Sequence, residues 1–169
     1  SAASDVYKRQ IYTSLTLILV VLLMLGGMNW FDSVCHAFAT TGTGGFSTKQ
    51  ASVAYYNSPY IEYVISVFMF ISGINFTLLL LFVNRKFKKV IDNAELKWYF
   101  WSVAGFTAII AVVLYYPSPM GAEEAFRKSL FQVISLHTST GFATDDYMLW
   151  TPVLWGLLTI VMVIGACAG

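Results

Sequence analysis

Four long stretches without Asp, Glu, Lys or Arg dominate the chain: residues 10–31, 63–84, 98–122 and 147–169. Each is about 20 residues or longer, enough for one helix across the hydrocarbon of a bilayer. The pattern predicts spanning helices over residues 11–28, 60–83, 96–116 and 148–169. Tyr12 and Trp30 flank the first span, and Trp98, Tyr99, Trp101, Tyr115 and Tyr116 flank the third, as interfacial aromatics do. Pro59, behind Asn57 and Ser58, suits the first turn of the second span. Two further helices are too short to cross. Residues 31–40 follow Asn29, a fitting N-cap, with Asp32 in the first turn. Residues 121–137 carry Glu123 and Glu124 at their start. The order is span, short helix, loop, span, and then the same again. A repeat of this kind outranks any single local reading.

The loop after each short helix is polar, uncharged and glycine-containing. The first reads Thr41-Gly42-Thr43-Gly44-Gly45-Phe46-Ser47-Thr48, and the second Thr138-Ser139-Thr140-Gly141-Phe142-Ala143-Thr144. Their Gly-Phe-small-Thr ends lie 96 positions apart throughout. Such a loop offers backbone carbonyls and hydroxyls and little else. In a membrane those groups must be buried in protein or line a watery path. A short helix followed by an extended loop suggests a re-entrant hairpin. The predicted site is an ion selectivity filter built from Thr43, Gly44, Gly45, Phe46, Ser139, Thr140, Gly141 and Phe142. Potassium would sit at Thr43, Gly44, Ser139 and Thr140. Carbonyls replace the ion's lost water without a full charge, so the ion can also leave. Gly45 and Gly141 would supply backbone angles that other residues disfavour. The negative C-terminal ends of the short helices would add modest stabilisation. Asp145 and Asp146 are candidate pore-mouth acids that concentrate cations.

Composition fits this picture. Of 169 residues, 57% are apolar and 11% charged, with a net charge of +1 and mean hydropathy of +0.67. A soluble domain carries about a quarter charged residues. Nothing in the charge balance suggests nucleic acid. Lys8, Arg9 and the cluster Arg85, Lys86, Lys88, Lys89 favour one cytoplasmic face. Two spans and a non-crossing hairpin between them satisfy that, which places both loops on the outer face. Lys49, Arg127 and Lys128 run against the trend. His36 and His137 are not 96 apart and read as structural. Asn75, mid-span, either lines the pore or caps a neighbouring helix. Glu62 reads as interfacial, and Cys35 and Cys167 as small buried hydrophobes rather than a disulfide. No metal-ligand spacing, nucleophile–base pair or nucleotide loop is present. The expectation is therefore not an enzyme, with no organic cofactor. The missing initiator Met and the bare apolar end suggest a piece of a longer chain.

The sequence resembles the Trk/Ktr/HKT superfamily of potassium transporters, most closely the bacterial Trk potassium-uptake pore subunits. The resemblance rests on His36-Ala37-Phe38, the stretch Thr43 to Thr48, Asn57-Ser58-Pro59-Tyr60-Ile61-Glu62-Tyr63, Gly73-Ile74-Asn75-Phe76 and the second loop. It covers nearly everything after Gln10. It implies an all-α membrane protein, with two helix–pore helix–filter loop–helix repeats of a potassium-channel-like four-unit pore. These resemble the second and third units. Residues 1–10 would be a cytoplasmic lead-in, 11–84 the first pore-loop unit, 85–95 a cytoplasmic linker, and 96–169 the second unit, truncated in its last helix. In the family that last helix breaks into a glycine-rich gate, and residues 165–169 resemble its beginning. Gly45 and Gly141 match the first glycine of the potassium-channel Thr-Val-Gly-Tyr-Gly filter.

The implied function is potassium uptake across the cytoplasmic (inner) membrane by a multi-pass protein. The implied partners are membrane lipids, the missing first and fourth pore units, a second copy in a homodimer, and a cytoplasmic nucleotide-binding regulatory subunit. Two rival readings stand beside it. A membrane enzyme acting on lipid needs acids or His gathered at one depth. A non-conducting scaffold would tolerate bulky residues in the loops.

Overall fold

A computed structural model describes residues 2–116, 119–144 and 149–168. Every regular element among them is helical. Helix α1 (Ala2–Leu25) runs through the polar lead-in without a break. It stops at Gly26 and Gly27, where Gly27 takes φ +96°. Gly27 N–H reaches Met24 O and Met28 N–H reaches Leu23 O, a glycine-terminated helix end. Helix α2 (Trp30–Thr41) starts at once, because the Asn29 side chain accepts from Asp32 N–H at 2.8 Å. Its 12 residues are too few to cross a bilayer.

The expected second span is two helices. Helix α3 (Pro59–Ser72), capped by Ser58 with Pro59 at its first position, ends at Gly73. Helix α4 (Phe76–Val83) departs at 103° to it. Two features mark the bend. Asn75 accepts from Thr77 N–H at 3.0 Å and so starts a new helix. Gly73 is also wedged tightly, since a Cβ there would lie 2.6 Å from the Tyr99 hydroxyl and 2.7 Å from Thr138 Cγ2. An apolar run reports length and not straightness, so hydropathy gave no sign of it.

Helix α5 (Phe87–Ile91) carries Lys88 and Lys89. Helix α6 (Ala94–Tyr115), capped by Asn93, is the second long span. Helix α7 (Ala122–His137) is the second short helix, and helix α8 (Pro152–Ala168) closes the chain. Helices α1 and α6 are each long and apolar enough to cross a membrane, and the bent α3–α4 pair qualifies if taken as one span. Residues 165–168 are helical and continuous with α8, and Gly169 lies outside the described residues.

Helix α3 packs between the α1–α2 pair on one side and α7 on the other, while α7 also packs on α6 and α8. Leu19, Leu23, Ile61, Ile65, Met69, Ile110, Phe131 and Val161 fill the centre. Leu17, Val21, Leu25, Trp101, Val112, Ile160 and Val163 point outward and are exposed. An apolar outer surface around an apolar centre suits lipid, where close packing rather than water exclusion joins helices. Small residues permit that closeness. A Cβ on Gly165 would lie 2.2 Å from His137 O at the end of α7.

Candidate ion-conducting site

The two short helices end in the same backbone conformation. In the first loop, Gly42 N–H bonds Phe38 O (2.9 Å), Thr43 N–H bonds Thr40 O (3.2 Å) and Gly44 N–H bonds Ala39 O (2.8 Å). In the second, Thr138 N–H bonds Ile134 O (2.9 Å), Ser139 N–H bonds Leu136 O (3.1 Å) and Thr140 N–H bonds Ser135 O (2.8 Å). All six donors and acceptors correspond at the offset of 96. The pattern is a Schellman helix end, whose left-handed residue is usually glycine. Here that residue is Thr43 (φ +50°) and Ser139 (φ +59°). A side chain there costs roughly 1–2 kcal/mol. Both copies thus keep a hydroxyl where glycine would be cheaper. Two residues on, Gly45 (φ +69°) and Gly141 (φ +83°) hold the positive φ expected of them.

The space around those glycines differs. A Cβ on Gly45 would lie 1.7 Å from Thr140 O, so the two loops touch backbone to backbone there. Nothing lies within 4 Å of a Cβ on Gly141. Thr43, Thr138 and Ser139 line one side of a cavity of about 320 Å³, with Gly73, Asn75 and Tyr99 on another. Asn75 therefore caps its own helix and lines this space. Phe46 is 83% exposed, whereas Phe142 is fully buried under the His36 ring (5.8 Å between centroids, 22° between planes). Ala54 N–H to Ala143 O (3.1 Å) and Ala143 N–H to Ser52 Oγ (3.3 Å) complete the join between the loops' outer segments. Asp145 and Asp146 lie outside the described residues.

Side chains hold the loops in place by two unlike devices. Behind the first, the buried Asp32 carboxylate accepts from Thr48 Oγ1 (2.6 Å), Tyr56 Oη (2.8 Å) and Asn29 Nδ2 (3.0 Å), with Lys49 Nζ at 3.6 Å. The Thr48 hydrogen bond, helped by Tyr56 and Lys49, holds the Asp32 carboxyl below its ordinary range against the opposing effect of burial. His36 Nδ1 faces Asp32 O at 2.7 Å, and a carbonyl can only accept. Nδ1 must carry the proton, which leaves Nε2 to accept from Ser47 Oγ at 2.7 Å. Behind the second loop, Ser135 Oγ donates to Phe142 O at 2.7 Å and Gln132 Nε2 approaches it at 3.5 Å. Gln132 occupies the position equivalent to His36. His137 sits elsewhere, with Ser102 Oγ 3.1 Å from its Nε2 and its ring edge-on to Tyr99. Each histidine is thus held by hydrogen bonds within the fold, and His137 also borders the cavity.

Sequence reasoning missed three things. Asp32, whose place in the first turn of α2 announces only a dipole partner, is the hub of a network reaching Tyr56. Glu62, expected at the membrane interface, is buried within the protein and ion-paired with Arg127, a partner that its sequence position did not reveal. The left-handed Thr43 and Ser139 carry no compositional signal, though each stands two places after its helix's last residue in both copies. Cys35 is half-buried and free.

Duplicated short helices, each ending in a strained hydroxyl-bearing loop among apolar helices, define a pore-loop membrane protein. The chain belongs to the TrkH family, described as cation transport proteins, whose model matches residues 6–169. It is similar to the Trk system potassium uptake protein TrkH of Halomonas elongata, with 34% identity over 160 residues, 94% of this chain and 33% of that protein. The protein of the same name from Escherichia coli K12 is 35% identical over 161 residues, again 94% of this chain and 33% of its own length. The crystal structure of the potassium transporter TrkH from Vibrio parahaemolyticus superposes with a TM-score of 0.89 at 32% identity, covering 95% of this chain and 35% of that one. The chain thus spans about a third of the length of these relatives. It is a multi-pass membrane protein, and its relatives are named as potassium uptake proteins.

Proposed function

We propose that this chain supplies two walls of the selectivity filter of a potassium uptake protein of the cytoplasmic membrane. The observation that carries the reading is the paired left-handed Thr43 and Ser139, each followed at two residues by a positive-φ glycine. Backbone strain held twice, at matching places, concentrates where a site is being shaped. Carbonyls of Thr43, Gly44, Gly45, Ser139, Thr140 and Gly141 serve as ion ligands, flanked by Phe46 and Phe142. The cavity beneath Thr43 and Ser139 is where the ion regains water. Asp145 and Asp146 concentrate cations at the mouth. The chain performs transport and not enzymatic chemistry, and the lipid-enzyme and scaffold readings draw on no specific observation. The bare face of Phe46, against the covered Phe142, leaves room for another pore-loop unit beside the first loop. Two further units complete the ring, and the dimeric state and cytoplasmic nucleotide-binding regulator follow from the family likeness.

Cysteine substitution in the full-length protein tests this reading. Silver ions should inhibit potassium uptake by Thr43→Cys and Ser139→Cys, and external potassium should protect both. The parent chain, with Cys35 and Cys167, sets the background. Insensitivity of both variants at normal membrane levels would remove the ion path from these loops.

A further inference from the structure

The first unit's closing helix and the second unit's short helix meet at a buried charge cluster. Glu62, in the first turn of α3, is 3% exposed, and Arg127, in the second turn of α7, is 8% exposed. Arg127 Nε is ion-paired with Glu62. Its Nη1 donates to both Glu123 oxygens, at 2.8 and 2.6 Å. Tyr63, beside Glu62, donates to Glu123 Oε1 at 2.9 Å. One guanidinium is therefore gripped by carboxylates from two helices in two units. A buried ion pair is poor evidence for stability, because a well-packed apolar pair of similar volume is often as stable. Its better-attested use is to fix register, since a planar guanidinium donates to carboxylates only in set directions.

Register matters at this place. Gln132 and Ser135, further along α7, are the residues that hold Phe142 O. A slide or rotation of α7 would move both, and Gly141 with them. The first unit has nothing equivalent. Position 31, matching Arg127, is an exposed Phe, and its loop is tied locally by Asp32 and His36.

We infer that Glu62 and Arg127 form a positioning clamp across the two units that sets the second loop and so tunes its ion preference. Neither residue touches the ion path; each acts through α7. This rests on the proposed filter reading. It also assigns a specificity role to a pair that burial alone would mark as structural.

The test uses the full-length protein in cells or vesicles, reading the external potassium concentration for half-maximal uptake and the strength of sodium competition. E62M/R127M leaves no buried charge unpaired at the pair itself. It should reach the membrane at wild-type levels, yet need at least three-fold more potassium for half-maximal uptake and be more sensitive to sodium. E62D, which keeps the carboxylate, should fall between the two. Wild-type ion dependence in E62M/R127M would overturn the clamp's role. So would loss of protein in both variants with unchanged ion dependence in what remains. If the parent protein itself takes up no potassium, the filter reading fails instead, and the two failures are distinct.

Discussion

The first and second loops are the same backbone held by different side chains. Their helix-end hydrogen bonds and their four left-handed residues correspond at one offset. The side chains that tie the loops back do not correspond: a buried carboxylate with its own hydroxyl partners on one side, a serine and a glutamine on the other. Ion coordination by carbonyls asks only for backbone geometry. Any side chains that enforce that geometry will serve, so the supports are free to diverge. If the loops are the proposed filter, their function is written in φ angles and helix ends, and side-chain identity between the copies is a poor guide to it.

The largest difference should appear when each support is removed in turn. Asp32→Ala strips the acceptor from Thr48 and Tyr56. Hydrogen bonds to a charged group are worth about 1.5–3 kcal/mol each, so the loss should be about 3 kcal/mol or more. Thermal unfolding of the full-length protein in detergent would show it. Because the folded Asp32 carboxyl titrates below its ordinary value of 3.8, its contribution is present above that pH and is lost as pH falls through the folded value. The variant's deficit should therefore shrink in acid. Ser135→Ala, the matching cut behind the second loop, removes one neutral hydrogen bond and should cost about 1 kcal/mol. Equal losses at the two sites would erase the contrast.

A smaller effect carries the opposite sign. Thr43→Gly and Ser139→Gly relieve left-handed strain and should raise stability by at most about 1 kcal/mol, while weakening potassium uptake. Higher stability with undiminished uptake would mean that the hydroxyl residues are incidental.

Much of this was legible because it is local. Asn29, Ser58 and Pro59 announce helix starts within four residues, and the glycine-containing loops announce themselves by lacking charge between apolar helices. The parts that were not legible depend on contacts far along the chain. Glu62 finds Arg127 65 positions away, and Asp32 finds Tyr56 24 positions away. The bend at Gly73 and Asn75 hides inside a charge-free, mostly apolar run, although both residues are visible in hindsight as a stop and a cap. Gly26 looks like a span-interior glycine, but it lies in the turn after α1. A Cβ there would meet the Tyr60 ring at 2.7 Å, whereas Gly105, with open space around it, is a neutral control.

The most direct test compares potassium-over-sodium discrimination in full-length Gly45→Ala, Gly141→Ala and Gly105→Ala. Both loop variants force a side chain to φ +69° or +83°, and Gly45→Ala also drives a methyl into Thr140 O. Discrimination should fall in both, further in Gly45→Ala, and stay at the parent level in Gly105→Ala. Parent-level discrimination in both loop variants at normal membrane levels would contradict the assignment of the two loops as equivalent walls of one ion path.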